Sequence, residues 1–273
     1  YQYWVRAGER GAFRVKNVRP GAYRIHAYIP GVYGQYVSEQ VITVQAGRAA
    51  LLETLFFHPP RSGPTLWEIG IPDRSAAEFF VPVLNPDSQY PYPPVGENRF
   101  RNYGAWERYA ETFNYSTGDQ LTYIVGVHDY SKDWWYVQPI MFMPEGSPVK
   151  YAQSTWRINF DIWVTPNPKA VYMFRAALAA SHNASVLLRV NNVTSDPLVD
   201  TEYDFPQATA NDNAMARASA HGQYGEFHVK IPGSLFKAGT NSIFLTQKYG
   251  ARPLSHLMWD YLRLETPPPP ITS

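Results

Sequence analysis

Three consecutive aromatic residues, Trp134-Trp135-Tyr136, have side chains well suited to contact sugars. Flat rings stack on the C–H faces of sugar rings, and their rigidity keeps the loss of conformational entropy small. On a strand, Trp134 and Tyr136 point to one side and Trp135 to the other, so we expect at least one ring in the core. Trp134 and Tyr136 are therefore predicted to contact carbohydrate, with a purely structural role in the core as the alternative.

A second candidate group is polar and lies in a predicted loop. An arginine guanidinium can pair with the carboxylate of a uronic acid, and Asp and Asn side chains can bond sugar hydroxyls. Loops at one end of a β-sandwich are where binding residues collect. The alternative is a self-satisfied polar loop with a salt bridge between Asp212 and Arg217. The predicted binding residues are Asp212, Asn213, Arg217, His221 and Tyr224.

Other charged residues stand close together in the sequence without a spacing that defines a site. His128-Asp129 and Lys132-Asp133 lack a metal-binding pattern, so we expect an ordered turn there. We expect Asp73-Arg74 and Glu107-Arg108 to fix loops rather than to bind a ligand. A structural Ca²⁺ held by Asp or Asn side chains and carbonyl groups is compatible with a β-sandwich, but no loop spacing nominates its ligands. No cofactor is predicted to be required.

The composition excludes several classes of function. The 273 residues carry a formal net charge of +1 and contain no Lys/Arg-rich run, so there is no electrostatic case for nucleic-acid binding. No run of about 18 apolar residues occurs, so no membrane span is predicted. Cysteine is absent, which excludes disulfides, thiolate zinc sites and cysteine nucleophiles. The length allows one large domain or two of ordinary size.

Residues 1–58 are predicted to form a small β-domain of the fibronectin type III or transthyretin-like kind. Alternating apolar and polar residues predict strands at 12–16 and 23–28, and further strands are predicted at 41–44 and 51–57. Because such a sandwich has roughly seven strands, we expect the missing ones upstream of the first residue. The chain also opens without a start signal, so it is expected to be part of a longer protein.

The remainder is predicted to be a second all-β domain. Residues 59–66 are predicted to be a linker, residues 67–266 a galactose-binding-like jelly-roll β-sandwich, and residues 267–273 a Pro-rich tail. Only residues 100–112 have helix-compatible spacing. The strand-like segments that predict the sandwich are 121–127, 154–162, 171–178, 185–191, 225–231, 241–246 and 258–264.

Long motifs of this sequence resemble rhamnogalacturonan endolyases of polysaccharide lyase family 4, particularly the plant-type members. These motifs are RSGPTLWEIGIPDRSAAEF at 61–79, FRNYGAWERY at 100–109 and YIVGVHDYSKDW at 123–134. NVRPGAY at 17–23 resembles the fibronectin-like middle domain of that family. Asp212-Asn213, Arg217 and His221-Gly222, followed by the strand at 241–247, resemble its C-terminal domain. The similarity spans nearly the whole chain in the same order.

The resemblance implies a protein of three parts, namely a catalytic β-sandwich, a fibronectin-like domain and a carbohydrate-binding jelly roll. The β-elimination chemistry needs a base and groups that stabilise an enolate-like intermediate. The family assigns these residues, a Lys and a His among them, to the first part, and no position here matches that part. The resemblance therefore implies a non-catalytic region that binds or positions pectic polysaccharide, rhamnogalacturonan I, for an upstream catalytic domain.

Two other functions stay open, and so does the location. The chain is also compatible with a structural extracellular glycoprotein that retains the lyase-type domains without activity. If the chain were itself catalytic, it would release unsaturated oligosaccharides, and we expect none. Where the family usually has a further His-Gly, this sequence has Ala218-Ser219-Ala220, and if that His helps to bind sugar, this chain lacks its contribution. The implied location is secreted, extracellular or cell wall, and the predicted glycosylation sites are Asn114, Asn183 and Asn192.

Overall fold

The polypeptide divides between Pro60 and Arg61, inside the predicted linker, into a unit of residues 1–60 and a unit of residues 61–273. Both units are built from β-strands, as predicted. The computed structural model describes residues 1–81, 121–143, 146–148, 151–191, 202–204, 224–248 and 255–269.

Short antiparallel strand pairs form the first unit. Ser38 fastens one pair, because its backbone N–H donates to Ile25 O at 2.8 Å and its hydroxyl accepts from Ile25 N at 2.9 Å. Tyr33 is 5% exposed and packs inside this small unit. The paired strands are β1 (Gly21–Tyr23) with β4 (Ile42–Val44), and β2 (His26–Ala27) with β3 (Tyr36–Val37).

Two strands predicted in the first unit do not form. Residues 12–16 alternate in polarity and residues 51–57 are largely apolar, but neither segment pairs with a strand in the described part of the chain. Leu51 and Phe56 are accordingly exposed. The segment 23–28 was wrongly predicted as continuous, since it is interrupted between β1 and β2. Alternation defines only the face that a strand could bury, whereas a strand also needs a hydrogen-bonded neighbour.

The second unit is richer in strands and contains one short helix among its described residues. That helix, α1, covers Tyr130–Asp133, and a 3₁₀ turn covers Gly233–Leu235. No helix formed by the described part of the chain has the length and hydropathy that a membrane span requires. The strands are β5 (Thr65–Gly70), β6 (Leu121–Ile124), β7 (Val137–Pro139), β8 (Met141–Phe142), β9 (Tyr151–Ala152), β10 (Ser154–Ile162), β11 (Val171–His182), β12 (Ser185–Val190), β13 (Glu202–Asp204), β14 (Gly225–Pro232), β15 (Gly239–Gln247) and β16 (His256–Glu265).

These strands form two five-stranded sheets. Sheet A has the strand order β13-β12-β15-β10-β6, in which β10 and β6 run parallel and the other neighbours antiparallel. Sheet B has the order β14-β11-β16-β5, and β7 also pairs with the beginning of β16. Strands β8 and β9 form a separate ribbon. Strands that are neighbours in a sheet are often distant in sequence. The two sheets confirm the predicted all-β, jelly-roll sandwich.

An aromatic core lies between the sheets, and strand β10 shows how the sequence produces it. Trp156, Ile158 and Phe160 are buried, while the residues between them point outward, because successive side chains of a strand alternate between its faces. From the opposite sheet, Trp67 meets Phe160 with ring centroids 5.5 Å apart. Burial of such rings is the main source of stabilisation, at about 25 cal/mol per Å² of apolar area. The outward face of β10 is left to polar residues.

The strands predicted for the second unit form, with shifts at their ends. Strand β6 ends at Ile124 because a turn follows, closed by a hydrogen bond from Val127 N to Ile124 O and containing Gly126 with φ of +79°. Strand β11 continues to His182 because β16 pairs with it as far as that residue. Strand β5 was not predicted, and the predicted helical segment 100–112 lies outside the described residues.

Candidate functional site

The two rings predicted to bind carbohydrate lie in the core. Trp134 is 0% exposed and Tyr136 is 2% exposed. Trp134 packs edge-on against Trp156 at 5.0 Å and against Trp259 at 6.0 Å between ring centroids. Neither Trp134 nor Tyr136 offers a ring face to a sugar, so the structural alternative describes them correctly and their predicted sugar contact is not supported. The side of the segment that carries these two rings is buried because the chain continues directly into β7, which pairs with β16.

The predicted polar loop is described only at its end. Asp212, Asn213, Arg217 and His221 lie outside the described residues, so their role stays a prediction. Tyr224 is half-buried, and its ring lies under the guanidinium of Arg74, whose Cζ is 4.2 Å from the ring centroid. Its hydroxyl donates to Glu226 Oε2 at 3.4 Å. Tyr224 therefore lies beside the loop that follows β5.

Of the three predicted glycosylation sites, only Asn183 is described. It occupies the turn between β11 and β12 with φ of +44°, and its amide nitrogen donates to Ser255 Oγ at 3.0 Å. A glycan on that nitrogen would compete with this hydrogen bond. Asn114 and Asn192 lie outside the described residues, and glycosylation stays a prediction at all three positions.

The His128–Asp133 segment is the ordered turn that the sequence predicts. Asp129 caps helix α1, since its Oδ1 accepts from the backbone N–H and the hydroxyl of Ser131 at 2.9 and 2.8 Å. The bond from the Ser131 hydroxyl is the largest influence that lowers the pKa of Asp129. His128 Nδ1 accepts from Ile124 N at 3.1 Å, and Asp133 Oδ2 accepts from Asp129 N at 2.9 Å. These side chains are engaged in holding the turn.

The outward face of sheet A carries a row of polar and aromatic side chains that spacing alone did not reveal. Phe244 in the middle strand β15 stands directly opposite Arg157 of β10 on one side and Arg189 of β12 on the other. All three side chains are half-buried. The guanidinium carbon of Arg157 lies 5.4 Å from the centroid of the Phe244 ring. We call Arg189, Phe244 and Arg157 the arginine row.

Hydrogen bonds fix the orientation of Arg157 within the arginine row. Its Nε donates to Asn159 Oδ1 at 2.8 Å, and both Nε and Nη2 lie 3.3 Å from Ser242 Oγ. The hydroxyl of Ser242 in turn donates to Asn159 Oδ1 at 2.8 Å. Because these partners are neutral, the positive charge of Arg157 is oriented without being neutralised by them. Such a face can bind an anion beside an apolar ring.

An acidic cluster lies on the other sheet, where the loop after β5 folds over β16. Asp260 of β16 is 0% exposed, and its Oδ1 accepts from three consecutive backbone N–H groups, those of Asp73, Arg74 and Ser75, at 3.2, 2.8 and 3.1 Å. Arg74 has φ of +71°, a left-handed conformation that points its N–H toward Asp260. Glu78 Oε1 accepts from Ile71 N at 2.9 Å.

Three further oxygens of the acidic cluster receive no donor from the described part of the chain. Asp260 Oδ2, Glu78 Oε2 and Asp73 Oδ1 are buried and receive no hydrogen bond from the described residues. One carboxylate oxygen of each residue lies within 4.8 Å of the other two. Burial raises the pKa of both Asp260 and Glu78 to about 7, against the opposing effect of their backbone hydrogen bonds. We call Asp73, Glu78 and Asp260 the carboxylate cluster.

A second buried carboxylate of β16 has positive partners. Glu265 is 0% exposed, and its Oε1 pairs with Arg175 Nε at 3.1 Å and with the guanidinium of Arg263. Its other oxygen accepts from Ser62 N at 2.7 Å, and Ser62 Oγ accepts from Arg175 Nη2 at 2.9 Å. This network fastens the start of the second unit to the end of β16.

Comparison with known proteins identifies both units of the chain. The family model described as polysaccharide lyase family 4, domain III, matches residues 65–264, and that for domain II of the same family matches residues 1–52. A family 35 carbohydrate binding module from an environmental isolate aligns over 41% of this chain and 64% of its own, at 21% identity and a TM-score of 0.24. That score is too low to support an argument about the fold.

The curated relatives that match are named rhamnogalacturonate lyases. Probable rhamnogalacturonate lyase C of Emericella nidulans is 28% identical over 191 residues, which cover 67% of this chain and 17% of the relative. Probable rhamnogalacturonate lyases B of Neosartorya fischeri and Aspergillus niger are 25% and 24% identical, over 97% and 92% of this chain and 42% and 36% of those relatives. The chain thus spans less than half the length of each. The domain III match alone extends over well more than half of the chain, so the resemblance is confirmed and the chain belongs to polysaccharide lyase family 4.

Proposed function

We propose that this chain is the non-catalytic, carbohydrate-binding region of a rhamnogalacturonan lyase, and that it positions pectic polysaccharide for a catalytic domain upstream. The family match and the relatives named rhamnogalacturonate lyases support the kinship. The observation that carries the binding role is the arginine row on the outward face of sheet A.

The chemistry of the arginine row suits an acidic glycan. Guanidinium groups form charge-assisted, often bidentate hydrogen bonds with carboxylates, and these are roughly twice as strong as neutral ones. The ring of Phe244 offers an apolar surface between the two positive charges. Rhamnogalacturonan I supplies both partners, because its galacturonate residues carry carboxylates and its sugar rings carry C–H faces.

The size of the arginine row suits more than one sugar. Arg157 and Arg189 stand on strands separated by β15, so their Cα atoms are roughly 10 Å apart at the usual strand spacing. Further along β10, Asp161 is exposed and accepts from the hydroxyl of Thr240 at 2.7 Å. Asp161 lies four residues, or about 13 Å, from Arg157, which limits the favourable surface for an anion to the part of the sheet around Phe244.

Binding of a rhamnogalacturonan I fragment to the 273-residue chain, measured by isothermal titration calorimetry, tests this function. We expect Arg157→Ala to weaken binding about 10-fold or more, as loss of a hydrogen bond to a charged group does. Phe244→Leu, which retains apolar volume, should weaken it less than Phe244→Ala. The matched control is Lys230→Ala, which removes an exposed cation from strand β14 of sheet B. Wild-type protein that does not bind would favour the structural-glycoprotein alternative.

The location and the catalytic partner belong to the same proposal. A protein that binds pectic polysaccharide acts where that polymer is, outside the cell or in the cell wall, so we propose secretion of the full protein. Incubation of this chain with rhamnogalacturonan I should yield no unsaturated oligosaccharide detectable by mass spectrometry. The appearance of such a product would assign catalysis to these two domains and contradict the accessory role.

A further inference from the structure

We propose that Trp163 and Asp161 form a second sugar-binding subsite, at the end of strand β10, which takes a neutral, galactose-type sugar rather than a uronic acid. The inference rests on the proposed function, since it requires glycan to lie on the outward face of sheet A. It names the class of sugar that this face takes beyond the arginine row. It starts from an exposed indole ring and an exposed carboxylate that stand two residues apart.

Trp163 differs from the other tryptophans of the second unit. Its side chain is 85% exposed, whereas the other tryptophans that the structure describes in this unit are buried or half-buried. An indole offers a large, flat and rigid apolar surface, which suits stacking on the C–H face of a sugar. Trp134 and Tyr136, the rings predicted to stack on sugar, are enclosed in the core. Trp163 therefore combines the predicted residue type with the exposure that those rings lack.

The alternation of β10 directs Trp163 to the face that carries the arginine row. Asp161 is exposed, whereas Ile162, the last residue of the strand, is 4% exposed and points into the core. Trp163 continues this alternation, because successive side chains of an extended chain point to opposite sides. It stands six residues from Arg157, or roughly 20 Å along the strand. One glycan chain lying along β10 can thus contact both the arginine row and Trp163.

The strands beside β10 stop short of Trp163, which leaves space around its ring. On one side β6 ends at Ile124, which stands opposite Asn159. On the other side the last pair of the ladder joins Ile162 to Gly239. A Cβ added at Gly239 would meet nothing within 4 Å among the described residues. A sugar ring can therefore approach the indole from the side of β15 without displacing a described side chain.

Asp161 supplies a polar contact beside the ring and discriminates against a charged sugar. Its Oδ1 accepts from the hydroxyl of Thr240 at 2.7 Å, which orients the carboxylate. Asp161 forms no ion pair with a described Lys, Arg or His. Its carboxylate can accept charge-assisted hydrogen bonds from sugar hydroxyls, whereas it repels the carboxylate of a galacturonate. The subsite therefore favours a neutral sugar, which is the opposite preference to that of the arginine row.

Galactose suits the ring and the carboxylate together. Its axial hydroxyl leaves several C–H groups together on one face of the sugar, and that face can stack on an aromatic ring. The hydroxyls at the rim of the sugar remain free to donate to Asp161. Galacturonate has the same ring stereochemistry but carries a carboxylate in place of the primary alcohol. Reduction of an oligogalacturonide to its galactose form therefore gives a neutral probe with the same linkage and length.

Calorimetric titration of the 273-residue chain with an oligogalacturonide and with its carboxyl-reduced form tests the subsite. We expect Trp163→Ala to weaken binding of the neutral probe about 10-fold, as loss of a central aromatic contact does. Trp163→Phe, which retains a ring, should weaken it less. The matched control is Trp4→Ala, which removes a 68% exposed tryptophan from the first unit and should leave the affinity unchanged.

Asp161→Asn tests the discrimination between the two probes. The variant retains an oxygen for the bond from Thr240 and removes the negative charge, so we expect the acidic probe to bind more tightly than it binds the wild-type chain. A stabilising role for Asp161 alone would not produce this gain. Acidic-probe affinity that does not rise in Asp161→Asn would overturn the assignment of a neutral sugar.

Nuclear magnetic resonance locates the bound sugar. The indole N–H signal that is present in the wild-type spectrum and absent from that of Trp163→Phe belongs to Trp163, and it should shift when the neutral probe is added. An unshifted signal, or unchanged affinity of Trp163→Ala for the neutral probe, overturns the subsite. The proposed function would still stand if the acidic probe bound through Arg157. If neither probe bound the wild-type chain, both would fail.

Discussion

Two buried carboxylates on the same strand, Asp260 and Glu265, are compensated in different ways. Glu265 is paired inside the protein with two arginines and a backbone N–H. Asp260 has backbone N–H groups at one oxygen and two further carboxylates nearby. Both residues are 0% exposed, so burial alone does not distinguish them. Strand β16 therefore buries one carboxylate with arginine counter-ions and the other with backbone N–H groups only, beside two further carboxylates.

The largest effect is expected on the Glu265 side of this comparison. Glu265→Gln leaves Arg175 and Arg263 buried without their shared carboxylate, and loss of one partner of a buried pair destabilises by about 3–5 kcal/mol. Urea unfolding of the second unit measures this change. The control, Glu68→Gln, alters an exposed carboxylate on β5, retains an oxygen for the hydrogen bond from the Tyr261 hydroxyl, and should change the free energy of unfolding by less than about 1 kcal/mol. Equal effects of the two variants would contradict the role of Glu265.

The two regions should also differ in their response to pH. Burial raises the pKa of Asp260 and Glu78 to about 7, so the folded protein binds more protons than the unfolded chain between about pH 4 and 7. The stability of the folded protein should therefore fall as the pH rises through this window. Urea midpoints at pH 5 and 8 test this, and a slope unchanged in Glu78→Gln would contradict the assignment.

An exposed ion pair provides the lower end of the scale. Nζ of Lys132 in helix α1 lies 3.1 Å from Oδ2 of Asp129, which caps the helix, and the two side chains are 75% and 48% exposed. Water and salt screen such a pair, so Lys132→Ala should change the free energy of unfolding by no more than about 0.5 kcal/mol. The effect should be the smallest of the series, and one comparable to that of Glu265→Gln would break the link between burial and energetic weight.

The alternation of polar and apolar residues was sufficient to predict strands that have a hydrogen-bonded neighbour strand on each side. In β10, Trp156, Ile158 and Phe160 alternate with polar residues, and the predicted strand forms over the predicted residues. The local pattern failed at 12–16, which alternate in polarity, and at 51–57, which are largely apolar, because neither pattern carries information about a pairing partner. Prediction was thus best where strand pairing and core packing agree with the local pattern.

The candidate sites depend on pairing between distant strands, which the sequence does not display. Arg157 and Phe244 face each other only because β10 pairs with β15 in one register. Asp73 and Asp260 meet across 187 residues. Trp134 and Tyr136 have the right side chains for sugar binding, yet strand pairing turns them into the core. The residue types indicated which side chains could bind a sugar or an anion. The register of strand pairing decided which of these side chains lie on the surface.

The pairing of Glu265 with two arginines shows inside the protein what the arginine row is proposed to do with a glycan. If Arg157 and Arg189 bind the carboxylates of galacturonate, removing either side of that interaction should have the same effect. Reduction of the carboxyl groups of rhamnogalacturonan I to alcohols removes the anionic side while the polymer length is retained. The protein side is removed by the double variant Arg157→Ala/Arg189→Ala.

The most direct test combines the two changes in one cycle of binding measurements by calorimetry. Wild-type chain should bind native rhamnogalacturonan I at least 10-fold more tightly than the carboxyl-reduced polymer. The double variant should bind both polymers equally weakly, which gives a coupling free energy of about 1.4 kcal/mol or more. Additive effects, in which the variant still prefers the native polymer by the full factor, would contradict glycan binding at the arginine row.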